Sequence, residues 1–279
     1  MTSTFACETA VRRSLQVNGM RLSFLEWGRA GAPGLCFLHG GSAHAHWYDG
    51  VAQAFADRYH VIALDQRGHG ESEWARPPAY GTEDFAGDLL EVVTALGWSQ
   101  VTLVGHSMGG HNSMAFSAWH PDRVRALCIV DSRPTFAPAR LEAMHARGRR
   151  GPRPHATLEA AVARFHLLPA DTAAAPAVLQ HLARAGMMER DGAWVYRFDP
   201  QTAGSRRPVD CLPLLAQVTA PTLLVRGEHS PVLTPPMVQE MMGRLARGRF
   251  VEIAGAYHHL VLDAPAAFTA ALADFLATV

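Results

Sequence analysis

The chain has 279 residues, 48% hydrophobic and 18% charged, the balance of a globular protein large enough to bury one full core. Lysine plus arginine and aspartate plus glutamate number 25 each, so no net field gathers nucleic acid or an anionic membrane. No apolar run approaches the ~20 residues of a membrane-spanning helix. Met1 to Arg13 contains no hydrophobic signal core, so a cytoplasmic protein is expected. Two of the 4 cysteines, Cys36 and Cys128, sit inside apolar runs, and no C-x-x-C pair occurs, so reduced packing thiols are expected rather than a disulfide framework.

In chain order, short apolar runs predict strands at Leu15–Val17, Arg21–Glu26, Leu35–Leu38, Val61–Leu64, Val101–Val104, Ala126–Val130, Thr222–Arg226 and Arg249–Ile253. The first two form a hairpin through Asn18-Gly19, a two-residue turn signal. Helical patterns lie at Thr82–Leu96, Ser107–Trp119, Pro236–Leu245 and Pro265–Ala277. Strands alternating with helices predict an α/β fold with a mostly parallel sheet. The alternation breaks between Pro134 and Arg207, where helical patches at Thr157–Leu168 and Thr172–Ala185 occur without a core-type strand. A stretch that long is not a plain loop. It predicts an inserted helical cap at 134–207, within a core domain made of 1–133 and 208–279. The basic run Arg147–Arg153 reads as a solvated loop of that cap.

The most informative segment is Val101 to Gly110, an apolar strand running into Gly105-His106-Ser107-Met108-Gly109. The spacing G-x-S-x-G marks a sharp strand-to-helix turn that lifts a serine hydroxyl above a sheet. The following helix aims unpaired N–H groups and its positive end at that point. A serine needs a base, most often a histidine oriented by a third group. The chain has 15 histidines, and the best placed are the adjacent His258 and His259, between the last strand and the C-terminal helix. A second strand-to-glycine turn, Phe37 to Ser42, offers backbone N–H groups for an oxyanion hole, with Gly41 and Met108 as the donors. His39 reads as a brace for that loop. Gly40, Ser42, His46, Trp47 and His106 are expected to wall the substrate pocket, with His44 and Tyr48 at its entrance. His44-Ala45-His46 offers two imidazoles without a third ligand at suitable spacing, so no metal is expected. In Asp65 to Ser72, Asp65 and Arg67 read as a structural ion pair or turn brace. No cofactor is expected.

Five pieces, His39-Gly40-Gly41, Asp65 to Ser72, Gly105 to Gly110, Arg226-Gly227-Glu228 and His258 to Pro265, occur in one order across nearly the whole chain outside the cap. In them the chain resembles the α/β-hydrolase superfamily, in particular its cap-bearing, esterase-like members. The resemblance implies an eight-stranded sheet with a helical cap over the serine. It selects His258, seven residues before the proline that opens the last helix. It also implies an acid three residues past Gly227, where this chain has Ser230. Among Asp131, Glu228 and Asp263, the resemblance favours Asp131, at the end of the strand beside the one carrying Ser107, with Ser230 as a fourth group bonding the histidine. The expected activity is hydrolysis of a small carboxylic ester or lactone by Ser107, His258 and Asp131. A carbon–carbon hydrolase, with Arg164 or Arg184 of the cap holding a carboxylate, and a non-catalytic binding protein are the alternatives. The expected partner is a small-molecule ester or lactone, with neither nucleic acid nor membrane, and the protein itself is expected as a monomer or homodimer.

Overall fold

The computed structural model describes residues 10–279, so Cys7 and most of the segment read for a signal core lie outside the described residues. In chain order the strands and helices are β1 (Val11–Val17), β2 (Met20–Trp27), β3 (Gly34–Leu38), β4 (His60–Leu64), β5 (Tyr80–Gly81), α1 (Thr82–Ala95), β6 (Val101–His106), α2 (Met108–Trp119) and β7 (Val124–Val130). There follow α3 (Pro138–Gly148), α4 (Leu158–Ala163), α5 (Pro176–Ala185), β8 (Met187–Arg190), β9 (Ala193–Tyr196), α6 (Gln201–Gly204) and β10 (Arg206–Arg207). The chain closes with β11 (Thr222–Gly227), α7 (Pro235–Met242), β12 (Gly248–Ile253), α8 (Leu260–Asp263) and α9 (Pro265–Leu276).

Eight strands form one sheet in the order β1-β2-β4-β3-β6-β7-β11-β12. β1 with β2 and β2 with β4 are antiparallel, and the remaining neighbours run parallel. The central strands β3, β4 and β6 are buried along their whole length, as expected of parallel strands covered on both faces. Successive side chains alternate between two cores. Leu35, Phe37 and Val104 pack on the α9 side with Phe268 and Phe275, whereas Cys36, Leu38 and Leu103 pack with Leu89 of α1 and Phe116 of α2. Parallel pairing of β6, β7, β11 and β12 brings their carboxyl ends to one edge, where ligands of open α/β sheets bind. No helix among the described residues is long and apolar enough to cross a membrane.

All eight expected strands are present, and the four helices expected outside 134–207 start within a residue of expectation. Three local readings are corrected. The helical patch at Thr157–Leu168 ends at Ala163, and that at Thr172–Ala185 begins only at Pro176. The stretch 134–207 contains a hairpin, β8 with β9, turning at Asp191-Gly192 with φ of +52° and +75°. Asp-Gly is the hairpin signal of Asn18-Gly19 in another form. Asp65 and Arg67 do not pair with each other. Asp65 meets Arg12 at 2.9 Å and the N–H groups of Ala45 and Glu71, while Arg67 grips both oxygens of Asp88 at 2.6 Å.

That buried fork ties the loop after β4 to α1. Asp88→Ala leaves the guanidinium with the Ala79 carbonyl, at 2.9 Å, and Asp84, at 3.6 Å, and is expected to cost about 3 kcal/mol, the low end for breaking a buried pair. Urea unfolding reads this directly, and a loss below about 1 kcal/mol, the range of an exposed pair, contradicts it.

Candidate active site

Ser107 occupies the turn between β6 and α2 with φ +52°. Glycine is compelled on both sides. A Cβ on Gly105 would stand 2.5 Å from the Gly109 carbonyl, and one on Gly109 would stand 2.1 Å from the Leu38 carbonyl. The turn is pinned from β7: Ser107 N–H donates to Val130 O at 3.0 Å, and Ser132 Oγ donates to Ser107 O at 2.6 Å.

His258 hangs from the loop after β12. Its Nε2 lies 3.1 Å from Ser107 Oγ and its Nδ1 lies 2.6 Å from Asp131 Oδ2. A carboxylate accepts only, so Nδ1 carries the proton and the Nε2 lone pair faces the serine hydroxyl. His259 turns the other way, donating from Nε2 to Pro169 O at 2.9 Å. His106 donates from Nε2 to the His258 carbonyl at 2.9 Å, holding the backbone that carries that ring.

Asp131 ends β7 with φ +43° and is fully buried. Its Oδ2 also accepts Ser230 Oγ at 2.5 Å, and Oδ1 faces Gly227 N–H at 3.4 Å. Ser230 was expected on the histidine; it bonds the carboxylate instead, because β7 and β11 are neighbours in the sheet. Glu228 binds Gly255 N–H at 2.7 Å, and Asp263 binds Tyr257 N–H at 2.9 Å, so each shapes the loop before His258 rather than touching its ring.

Burial pushes the Asp131 carboxyl up to about 7, against the hydrogen bonds of Ser230 and Gly227 and the charge of Arg226. Burial, with His259, Arg133 and Arg140, holds the His258 ring below the usual histidine value. The two groups titrate as one unit. A proton added to the Asp131 anion and neutral His258 yields either an imidazolium or a carboxylic acid donating to Nδ1, and in both forms Nε2 bears hydrogen.

On the far side of the serine, His39 is fixed without ambiguity. Gln66 N–H donates to its Nε2 at 3.1 Å, so Nδ1 carries the proton and donates to Gly40 O at 2.7 Å. Burial keeps this ring neutral, with its pKa lowered to about 4. Ala43 N–H also reaches Gly40 O, at 3.3 Å. Across a trans peptide the N–H opposes the carbonyl, so the Gly41 N–H is directed the other way. A Cβ on Gly40 would lie 3.2 Å from Ser107 Cβ, and one on Gly41 would lie 4.0 Å from Met108 Sδ. Met108 opens α2, and its N–H is among those without an intrahelical acceptor.

A cavity of about 330 Å³ adjoins this region, lined by the sequence neighbours Gly41 and His259 rather than by Ser107 or His258 themselves. Gly41, Ser42, Trp47 and His259 form its floor, while Phe165, Leu167, Leu168, Tyr196 and Phe198 supply apolar walls. Arg147, Arg150 and Arg153 border it too. The basic run read as a plain solvated loop therefore edges the cavity, a placement that charge counting does not reveal. Arg164 and Arg184 are not among the lining residues, and Arg184 lies 3.7 Å from Glu159. Of the expected wall residues, Ser42 and Trp47 are in place. Gly40 and His106 lie beneath, His106 stacking on Trp47 at 5.9 Å. His46 faces elsewhere, as do His44, which donates to Leu182 O, and Tyr48, which donates to Leu38 O. The short helical turn at Ala45–Tyr48 sends neighbouring side chains in different directions.

Two histidine clusters have the proximity of metal ligands, His106-His258-His259 and His46-Asp49-His181. In the first, both nitrogens of His258 are already engaged. In the second, Arg12 Nη2 donates to His46 Nε2 at 2.9 Å, so Nδ1 holds the proton given to Asp49 and has no lone pair for a cation. Neither donor set fits a metal as arranged.

The strand order and the serine turn define an α/β hydrolase, and the chain belongs to the alpha/beta hydrolase fold family, whose match spans residues 33–265. It is 28% identical over 285 aligned positions to 2-(acetamidomethylene)succinate hydrolase of Mesorhizobium japonicum, covering 99% of each chain. It is 30% identical over 261 positions to an esterase of Mycobacterium tuberculosis, covering 88% of this chain and 83% of that one. The crystal structure of E-2-(acetamidomethylene)succinate hydrolase superposes with a TM-score of 0.84 at 25% identity, over 96% of this chain and 99% of that one. Family and relatives make the protein a hydrolase.

The Asp131–His258 pair is expected to take up one proton as pH falls through about 7. The His258 ring resonances in NMR report it. A pair unchanged between pH 8 and 5 contradicts the burial argument.

Proposed function

We propose that the protein is a serine hydrolase of a small carboxylic ester or lactone, with Ser107 as nucleophile, His258 as base and Asp131 as the acid. The observation that carries this reading is the continuous hydrogen-bond chain Asp131–His258–Ser107, next to a mostly apolar cavity that Gly41 and His259 help to line. His258 Nε2 takes the hydroxyl proton as Ser107 Oγ bonds to the carbonyl carbon. The oxygen's negative charge meets the N–H groups of Gly41 and Met108, each such donor typically contributing ~10²–10³ in rate. His258 then returns the proton to the leaving oxygen, leaving an acyl-serine that water cleaves by the same route. Residues 134–207 act as the cap that excludes bulk water and shapes the substrate site.

The borders of the cavity refine the substrate. Arg147, Arg150 and Arg153 line the same cavity as its apolar residues, a combination suited to a substrate that carries a carboxylate away from the bond being cut. The full-length likeness to a hydrolase whose named substrate is a substituted succinate supports the same feature. It favours, as a second reading, an acylamino-substituted dicarboxylate as substrate.

A fluorophosphonate probe should label the native protein and fail on Ser107→Ala; equal labelling of both removes the nucleophile assignment. Asp131→Asn should lower kcat by ~10²–10⁴, as loss of the orienting carboxylate does, while Glu228→Gln stays near wild type; the reverse ranking moves the acid. The rate should fall as pH drops through about 7, where the pair takes its proton. Half-esters of dicarboxylic acids should exceed neutral esters of equal length in kcat/KM by about tenfold, the scale of one charge-assisted hydrogen bond. That margin should vanish when Arg147, Arg150 and Arg153 are all replaced by methionine, and its survival there assigns carboxylate recognition elsewhere.

A further inference from the structure

Arg206 sits on β10, where the chain returns from the cap, with only 2% of its surface exposed. Its guanidinium lies 4.7 Å over the Phe85 ring and reaches Tyr80 O at 3.4 Å. Among the described residues no carboxylate comes within ion-pair distance of it, and burial draws its pKa down to about 10. A buried cation without a counter-ion is costly, and no step proposed for Ser107 uses it.

We propose that Arg206 is a positioning residue for the oxyanion loop, acting through a one-way chain of buried amides. The proposal rests on the reading of Ser107 as nucleophile. A guanidinium donates and never accepts, so Asn112 must turn its Oδ1 toward Arg206 Nη2, which it meets at 2.7 Å. The other end of the Asn112 amide is then an N–H₂, which donates to Gln66 Oε1 at 2.8 Å. Gln66 is thereby obliged to present its own N–H₂, which donates to His39 O at 2.7 Å. The same carbonyl accepts Gly109 N–H at 3.1 Å, from the turn carrying the serine.

Each link is directional. Reversing either amide sets oxygen against oxygen or N–H against N–H among side chains that are nearly fully buried, where unpaired polar atoms are penalised most. The chain ends on the His39 carbonyl, which sets the plane of the peptide into Gly40. The His39 ring sets the next plane through Gly40 O, and so directs the Gly41 N–H. A neutral, acceptor-bearing side chain at 206 would leave the orientation of Asn112 undecided. The donor-only character of arginine removes that freedom from a loop of glycines with little stiffness of its own.

The experiment separates polarity from packing. Asn112→Asp keeps an acceptor for Arg206 and adds a counter-charge that offsets the acceptor left unpaired at Gln66, so its melting temperature should stay near wild type. It has no N–H₂ for Gln66, so the relay is cut. With p-nitrophenyl butyrate, kcat should fall about tenfold or more while KM stays within about twofold, the pattern of a contact made only in the transition state. Affinity for a trifluoromethyl ketone, which mimics the tetrahedral oxyanion, should fall by a similar factor. Gln66→Glu should behave alike, Arg206→Lys should retain most of the activity, and Arg206→Met should follow Asn112→Asp. Wild-type kcat in Asn112→Asp, or equal loss in Arg206→Lys and Arg206→Met, overturns the relay. A native protein that neither cleaves the ester nor takes a fluorophosphonate label removes the nucleophile reading, and this proposal with it.

Discussion

The arrangement depends on a carboxylate buried at the tip of β7. Asp131 has no solvent, so its charge must be met by the protein, and the groups that meet it come from three places in the chain. Gly227 and Ser230 belong to the end of β11 and the turn after it, and His258 belongs to the loop after β12. One buried oxygen pair therefore fixes the relative positions of three strand ends, and the serine turn is pinned to the same strand through Val130 and Ser132. The geometry around Ser107 is a by-product of satisfying Asp131.

Much of this was legible in the sequence because it rests on local constraints. The glycines around Ser107 are demanded by contacts of the turn itself, and the apolar runs of β3, β4, β6 and β7 declare burial on both faces. Asp131 could be placed because strand adjacency in the sheet follows from the family resemblance, while its contact with Ser230 rather than a histidine–serine contact needed coordinates. What stayed hidden was set by long-range packing. The arginines of Arg147–Arg153 look like any solvated run until α3 and the hairpin β8–β9 place them beside the cavity. His46 pairs with Asp49 and packs edge-on against His181, the latter far along the chain, so its departure from the pocket has no local signal. The β8–β9 hairpin does have one, in Asp191-Gly192, set within a segment whose composition reads as helical.

Apolar and polar contacts together fasten the stretch 134–207 to the rest of the fold, with Leu167, Val178 and Leu182 buried in the core on the α9 side. Asp199 receives Arg76 and Tyr80 from the loop before α1, and Asp49 receives His181 from α5. Hydrogen bonds to charged groups are strong when dry and weaken sharply once water reaches them. Such polar contacts along the seam hold one geometry closely.

Asp263 gives this seam a mechanical meaning. Its carboxylate accepts Tyr257 N–H, just ahead of His258, and it also accepts Thr172 Oγ1 and Ala173 N–H, just ahead of α5. Pro169 O, in the same stretch, takes the proton of His259. One carboxylate thus ties the segment before α5 to the loop that carries His258, and the neighbouring His259 adds a second tie to the same segment. The direction in which the His258 ring points is therefore set in part by residues far from it along the chain.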